Sequence, residues 1–203
     1  MQKETKFKMT IFNTPILSKF FHYLTRLIMR LVGWRVDGKL PDLPKFVLIG
    51  APHTSNWDFV LFLGVIFTLR ANVRFMGKAE VFRFPIGWFF RYCGGVPVDR
   101  SKSTGLVDQM VKASKESKRF ILTIAPEGTR HHVSEWKRGF YHIAKNAGIP
   151  IVMAIVDGKH KEVRVGQVFH PTEDIEADMK TIKGVFEGVV GINPRRKYIT
   201  LQT

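Results

Sequence analysis

Cysteine is almost absent from this sequence: Cys93 is the only one in 203 residues. A lone thiol excludes an internal disulfide framework and any zinc or iron–sulfur centre held by several cysteines. Acidic residues are also scarce, 17 Asp and Glu against 32 Lys and Arg, which leaves a formal net charge of +15. An excess of that size points to an anionic partner: nucleic acid, a membrane surface or a phosphorylated substrate. Long apolar runs are missing too. A spanning helix needs about 20 mostly apolar residues, and the longest candidate, Phe59 to Leu69, is closed by Arg70. The basic start of the chain leads into a stretch broken by Lys19, Arg26 and Arg30, not into a clean apolar core with a small-residue cleavage site. Export is therefore not expected, and the chain is expected to remain inside the cell. Two catalytic signatures are lacking as well. Without G-x-S-x-G there is no serine elbow, and without H-E-x-x-H there is no zincin site, a spacing that His131-His132 with Glu135 does not supply.

What remains is the composition of a folded protein, 45% hydrophobic and unusually rich in Phe, at a length that suits one domain. Pro15 to Val32 reads as an amphipathic helix. Leu17, Phe20, Phe21, Leu24, Leu27, Ile28 and Leu31 recur at three- and four-residue spacing, with Lys19, His22, Arg26 and Arg30 on another face. A basic, aromatic-rich helix of this kind suits the headgroup region of a membrane, and packing on the domain is the plainer alternative. Beyond it, short apolar runs alternate with helical patterns. Strands are expected at 46–49, 73–76, 95–98, 120–124, 149–156 and 163–169, and helices at 57–69, 106–117, 140–146 and 173–190. The last helix is expected to stop at Gly191 and Pro194. The alternation argues a three-layer αβα domain with a mostly parallel mixed sheet, preceded by the N-terminal amphipathic helix.

Three polar clusters follow strands, where open α/β sheets build their sites. The first is Pro52-His53-Thr54-Ser55-Asn56-Trp57-Asp58. Five residues on a helix turn through about 500°, so His53 and Asp58 meet only if His53 lies in the loop and Asp58 in the first helical turn. Ser55 as N-cap arranges that, with Asp58 at the third helical position. The aspartate then accepts the imidazole N–H and leaves the other nitrogen as a base. The same Ser55-x-x-Asp58 spacing also fits a capping box with no catalytic role. The second cluster is Gly94-Gly95-Val96-Pro97-Val98-Asp99-Arg100, and the third is Pro126-Glu127-Gly128-Thr129-Arg130. Gly128 allows close backbone approach to a ligand, while Thr129 and Arg130 offer donors to an oxyanion such as phosphate. Alone, the third cluster fits a solvated turn better, and Arg100 of the second fits an ion pair with Asp99 or an exposed charge.

Taken in order, H-x-x-x-x-D, G-G-x-x-V-D-R, P-E-G-T-R and the apolar strand opening Ile149-Pro150-Ile151-Val152 resemble the glycerolipid acyltransferases, and among them the bacterial 1-acyl-glycerol-3-phosphate group. The likeness covers roughly residues 45–170. It implies residues 1–35 as a membrane-associating helix and 36–203 as the acyltransferase domain. It implies His53 as the general base acting on an acceptor hydroxyl and Asp58 as its orienting carboxylate. It implies direct attack on the thioester of acyl-CoA or acyl carrier protein, with no acyl-enzyme, metal or cofactor. Arg100, Glu127, Gly128, Thr129 and Arg130 are implied to bind the acceptor and its phosphate, with backbone donors around Gly128 near the developing oxyanion. The fourth motif is implied to be a structural strand beside the acyl channel. Ala125 departs from the aromatic residue common before the third motif.

The reaction implied is acyl transfer to a lysophospholipid, giving phosphatidic acid at the cytoplasmic face of the inner membrane, with the protein peripheral or monotopic. Glu80 to Tyr92, aromatic and basic, suits the headgroup boundary of an anionic membrane surface. Trp136, Lys137 and Arg138 are candidates for the substrate entrance, or else a solvated helix start. A nucleic-acid partner is not expected, because no binding motif or base-stacking array accompanies the charge.

Overall fold

The computed structural model describes residues 10–98, 105–131 and 133–194. A helix α1 (Pro15–Leu31) precedes a seven-stranded sheet, which runs β1 (Arg35–Gly38), β7 (Glu162–Phe169), β6 (Ile151–Asp157), β2 (Lys45–Ala51), β5 (Phe120–Ile124), β3 (Arg74–Lys78), β4 (Gly95–Val98). All neighbours are parallel except β6 and β7. This is the expected α/β architecture with a mostly parallel mixed sheet.

β2 and β6 read as unbroken apolar runs because both of their faces are covered. Phe46 and Leu48 point into the layer formed with α2 (Trp57–Thr68), against Ile66 and Phe67. Val47, Ile49 and Ala51 point the other way, into a core shared with α4 (Leu106–Glu116), α5 (Gly139–Ala147) and α6 (Ile175–Gly184). α1 lies on the α2 side. Its Met29 packs on Gly64 of α2, and Phe21 stacks on Phe67 with ring centroids 5.0 Å apart. No helix among the described residues is long and apolar enough to cross a membrane.

The structure departs from the sequence reading in a few places. β1 was not expected: four residues at the sheet edge with only Val36 half buried leave no period-two signal. Glu80–Tyr92 resolves into a single 3-10 turn (Ala79–Phe82) and a short helix α3 (Gly87–Tyr92). α6 begins after an Asp174 cap and ends at Gly184, well before the expected Val190. Ile175, Met179, Ile182, Phe186 and Val189 still face the core, because the turns after Gly184 keep the same side inward. His22 was grouped with the basic face of α1, yet it is buried with Nδ1 2.9 Å from the Phe67 carbonyl. Trp136 is neither at an entrance nor in a solvated helix start. It lies in the core, edge-on to Phe186 at 5.3 Å.

Phe186 is fully buried. Truncation to Ala is expected to destabilise the fold by about 3–5 kcal/mol, as loss of a core aromatic does. Urea unfolding measures this, and a change below about 1 kcal/mol would contradict the packing described.

Candidate active site

β2 and β5 are parallel neighbours in register, with Ile49 opposite Ile124. Both chains therefore leave the sheet at the same edge and side by side. After β2 the chain turns to the α2 face, and after β5 it passes to α5 on the opposite face. Divergent connections from adjacent parallel strands open a crevice at their carboxyl ends. The His53 loop and the Glu127 turn line it.

His53 is in the loop and Asp58 in the first turn of α2, the one arrangement in which the two can meet. His53 Nδ1 lies 2.8 Å from Asp58 Oδ2. The same oxygen accepts the backbone N–H groups of Thr54 and Ser55, both at 2.7 Å. The loop-capping contacts and the imidazole–carboxylate contact that this spacing allows are thus both present. The helix begins at Trp57 as expected, but the cap is Asn56 and not Ser55, so Asp58 is second in the helix, while Ser55 Oγ accepts the Trp57 N–H at 3.2 Å. A carboxylate can only accept, so a neutral imidazole in this setting keeps its proton on Nδ1 and its lone pair on Nε2. The ring is 30% exposed, so it is within reach of a ligand.

Glu127 lies beneath this pair. It is buried, and its Oε2 accepts the His53 backbone N–H at 2.6 Å. Burial pushes its pKa up to about 8, the His53 N–H acts against the rise, and the nearby Asp58 charge adds to it. Its side chain therefore supports the His53 loop from inside. The rest of the third motif forms a turn. Gly128, at φ +65°, donates its N–H to the Ala125 carbonyl at 3.0 Å. That donor is directed into the turn and not at a substrate, contrary to the expected oxyanion role for Gly128. Thr129 Oγ1 accepts the His131 N–H at 3.3 Å, and Arg130 is exposed. Asp99 and Arg100 lie outside the described residues.

Lys137, a candidate for the substrate entrance on sequence grounds, borders this turn. Its N–H donates to the Pro126 carbonyl at 2.9 Å, and its stem lies across Gly128, where a Cβ would come within 2.9 Å of Lys137 Cδ. Neighbouring Arg138 is instead paired with Glu176. Cys93 is buried, and burial raises its thiol pKa to about 11, so no thiolate nucleophile is at hand.

Fold and site define an open-sheet α/β protein with a histidine–carboxylate pair at the carboxyl edge of its central strand. The family model described as Acyltransferase matches residues 35–156. The chain belongs to the acyltransferase family. It is 31% identical over 149 residues to 1-acyl-sn-glycerol-3-phosphate acyltransferase of Streptococcus pneumoniae, covering 68% of this chain and 54% of that one. It is 32% identical over 149 residues to the protein of the same name from Saccharomyces cerevisiae, covering 70% of this chain and 48% of that one. The chain thus spans about half the length of these curated relatives. The crystal structure of the 1-acyl-sn-glycerophosphate acyltransferase of Thermotoga maritima shares the fold, with a TM-score of 0.60 at 20% identity over 84% of this chain and 76% of that one.

A carboxyl group whose pKa is raised in the native state destabilises the fold as the pH rises. The unfolded chain loses this proton near the ordinary value, the native protein only near pH 8. Stability is therefore expected to fall between those limits, and Glu127→Gln, which retains an acceptor for the His53 N–H, is expected to flatten that fall. Thermal unfolding of both proteins between pH 5 and pH 8 measures it. An identical slope in the variant would contradict the assignment.

Proposed function

We propose that the protein transfers a fatty acyl group from acyl-CoA or acyl carrier protein to the 2-hydroxyl of 1-acyl-glycerol 3-phosphate, forming phosphatidic acid. The observation that carries the reading is the 2.8 Å contact between His53 Nδ1 and Asp58 Oδ2 at the carboxyl edge of β2. In the mechanism, Nε2 of His53 takes the proton of the acceptor hydroxyl as its oxygen attacks the thioester carbonyl. A C–O bond forms and the C–S bond breaks. The thiolate leaves with the proton returned by the imidazolium, which Asp58 has stabilised. Glu127 acts as a positioning residue beneath His53. Arg130, Lys137 and Arg100 bind the acceptor phosphate, and Gly128 is needed because the Lys137 stem occupies the space over it.

The acceptor and the product are lipids, so we propose that the enzyme works at a membrane, on the cytoplasmic face where the donor thioesters are made. The outer face of α1 supports this. Ile16, Phe20, Tyr23, Leu27 and Leu31 form an exposed apolar stripe, with the exposed cations Lys19, Arg26 and Arg30 beside it. Phe84 is 96% exposed, and Trp88 and Trp57 are exposed too. Such side chains gain by entering the headgroup boundary of an anionic bilayer.

Two experiments test the reading. His53→Ala is expected to lower acyl transfer at least about 100-fold, the low end for loss of a general base, in an assay with purified protein, acyl-CoA and a panel of lysolipids. Near-parental turnover in a folded variant would refute the assignment, and turnover of another lysolipid with lysophosphatidic acid inert would move the acceptor. The double variant Phe20→Asp/Leu27→Asp is expected to weaken binding to phosphatidylglycerol vesicles at least about tenfold, since each such side chain contributes about 1.5–3 kcal/mol on burial. Unchanged cosedimentation would exclude this face of α1 as the anchor.

A further inference from the structure

The loop that carries His53 leaves β2 at Ala51 and enters α2 at Trp57, and its last two carbonyls, Ser55 and Asn56, accept N–H groups of the first helical turn. It is held from two sides. On one, the Thr54 N–H donates to Asp58 Oδ2 at 2.7 Å, the oxygen that also receives His53 Nδ1. On the other, the Thr54 side chain is buried, and its Oγ1 accepts the backbone N–H of Asn193 at 3.0 Å. Asn193 lies in the segment that follows α6, beyond the residues matched by the family model.

That segment is fitted closely to its place. A Cβ on Gly191 would stand 2.5 Å from Thr54 Oγ1 and 2.6 Å from Thr54 Cγ2, so no side chain fits there. The turn after β6 supports it from behind. Gly158 donates its N–H to the Val190 carbonyl at 2.7 Å, and a Cβ on Gly158 would come within 2.4 Å of the Gly191 carbonyl oxygen. Asp157 fixes that turn by accepting from the His160 N–H at 3.1 Å and contacting His160 Nδ1 at 2.7 Å. Two glycines in van der Waals register and two hydrogen bonds thus press residues 190–193 against the back of Thr54.

We propose that Thr54 is a positioning residue, and that the segment 190–193 is a strap which, through Thr54 Oγ1, keeps the His53 loop where Asp58 can hold the imidazole. This rests on the acyl-transfer reading for its kinetic consequence, and it gives a role to a part of the chain outside the catalytic motifs. Thr54 touches no substrate. It acts because reacting groups displaced by about 1 Å lose up to about 100-fold in rate.

Thr54→Val keeps the shape of the side chain and deletes the oxygen, whereas Thr54→Ser keeps the oxygen. The test measures kcat and KM with an acyl-CoA and lysophosphatidic acid, and follows by NMR the His53 Nδ1 proton that faces Asp58 Oδ2. Among the described residues, Asp58 and Glu127 are the titratable groups that contact His53. Thr54→Val is expected to lower kcat between about 10- and 100-fold with both KM values within about twofold. Thr54→Ser is expected to restore most of it. In Thr54→Val the His53 Nδ1–H signal is expected to broaden and move upfield, as the contact with Asp58 loosens. Gly191→Ala pushes the strap away without touching Thr54 and is expected to reproduce the kinetic pattern, which keeps the test open if Thr54→Val does not fold. Parental kcat and a parental Nδ1–H signal in these variants would overturn the strap, as would a Thr54→Ser variant as impaired as Thr54→Val. If the parent protein itself transfers no acyl group to any lysolipid, the acyl-transfer reading falls. The Nδ1–H signal then decides the strap alone: a change in Thr54→Val upholds it, and an unchanged signal overturns it.

Discussion

Asp58 Oδ2 accepts three donors at once: the imidazole of His53 and the backbone N–H groups of Thr54 and Ser55. The two backbone bonds bend the loop back over the start of α2, and that bend brings His53 within reach of the same oxygen. One carboxylate thus shapes the loop and orients the imidazole. Removing the side chain disturbs both, because the donors left behind sit in a partly buried site where unpaired polar groups are expensive. Glu127 completes the arrangement from below through the His53 N–H. A buried glutamate with a raised pKa beside an ionised aspartate is a polar pair in which one member is inclined to keep its proton. The site therefore needs only one full negative charge to hold the imidazole.

The rest of the fold serves this corner. The central strands place the His53 loop and the Glu127 turn side by side, and the helices that follow them diverge to opposite faces. α1 lies outside that logic and has two faces of its own. The inner one is buried through Met29 and His22, and the outer one leaves a long apolar stripe in solvent. A soluble domain with no lipid partner gains nothing from such a stripe, which is why it supports a membrane role more strongly than overall charge does.

The sheet was largely legible from the residues, because buried parallel strands are continuous apolar runs and their spacing left room for the helices between. β1 escaped because an edge strand with one half-buried valine carries no pattern. α6 was read too long because Ile182, Phe186 and Val189 keep helical spacing into the turns that contain Gly188, at φ +71°. At the site, H-x-x-x-x-D identified the pair that meets, but spacing could not say whether the carboxylate holds the loop or the imidazole, and in the structure it contacts both. The inward direction of Glu127 and the committed N–H of Gly128 had no signal in P-E-G-T-R, since side-chain direction in a turn depends on the neighbouring strand. Thr54 and Gly191 lie 137 positions apart, and no local rule connects them.

The central claim is that a carboxylate, not merely a hydrogen-bond acceptor, holds His53 ready to take a proton. Asp58→Asn tests it most directly, because the amide oxygen can still receive the loop N–H groups while the negative charge is gone. The account predicts that turnover falls at least about 100-fold with the fold intact, the imidazole having lost the partner that fixes its tautomer and stabilises its cation. Turnover near that of the parent protein, in a variant with unchanged stability, would contradict it.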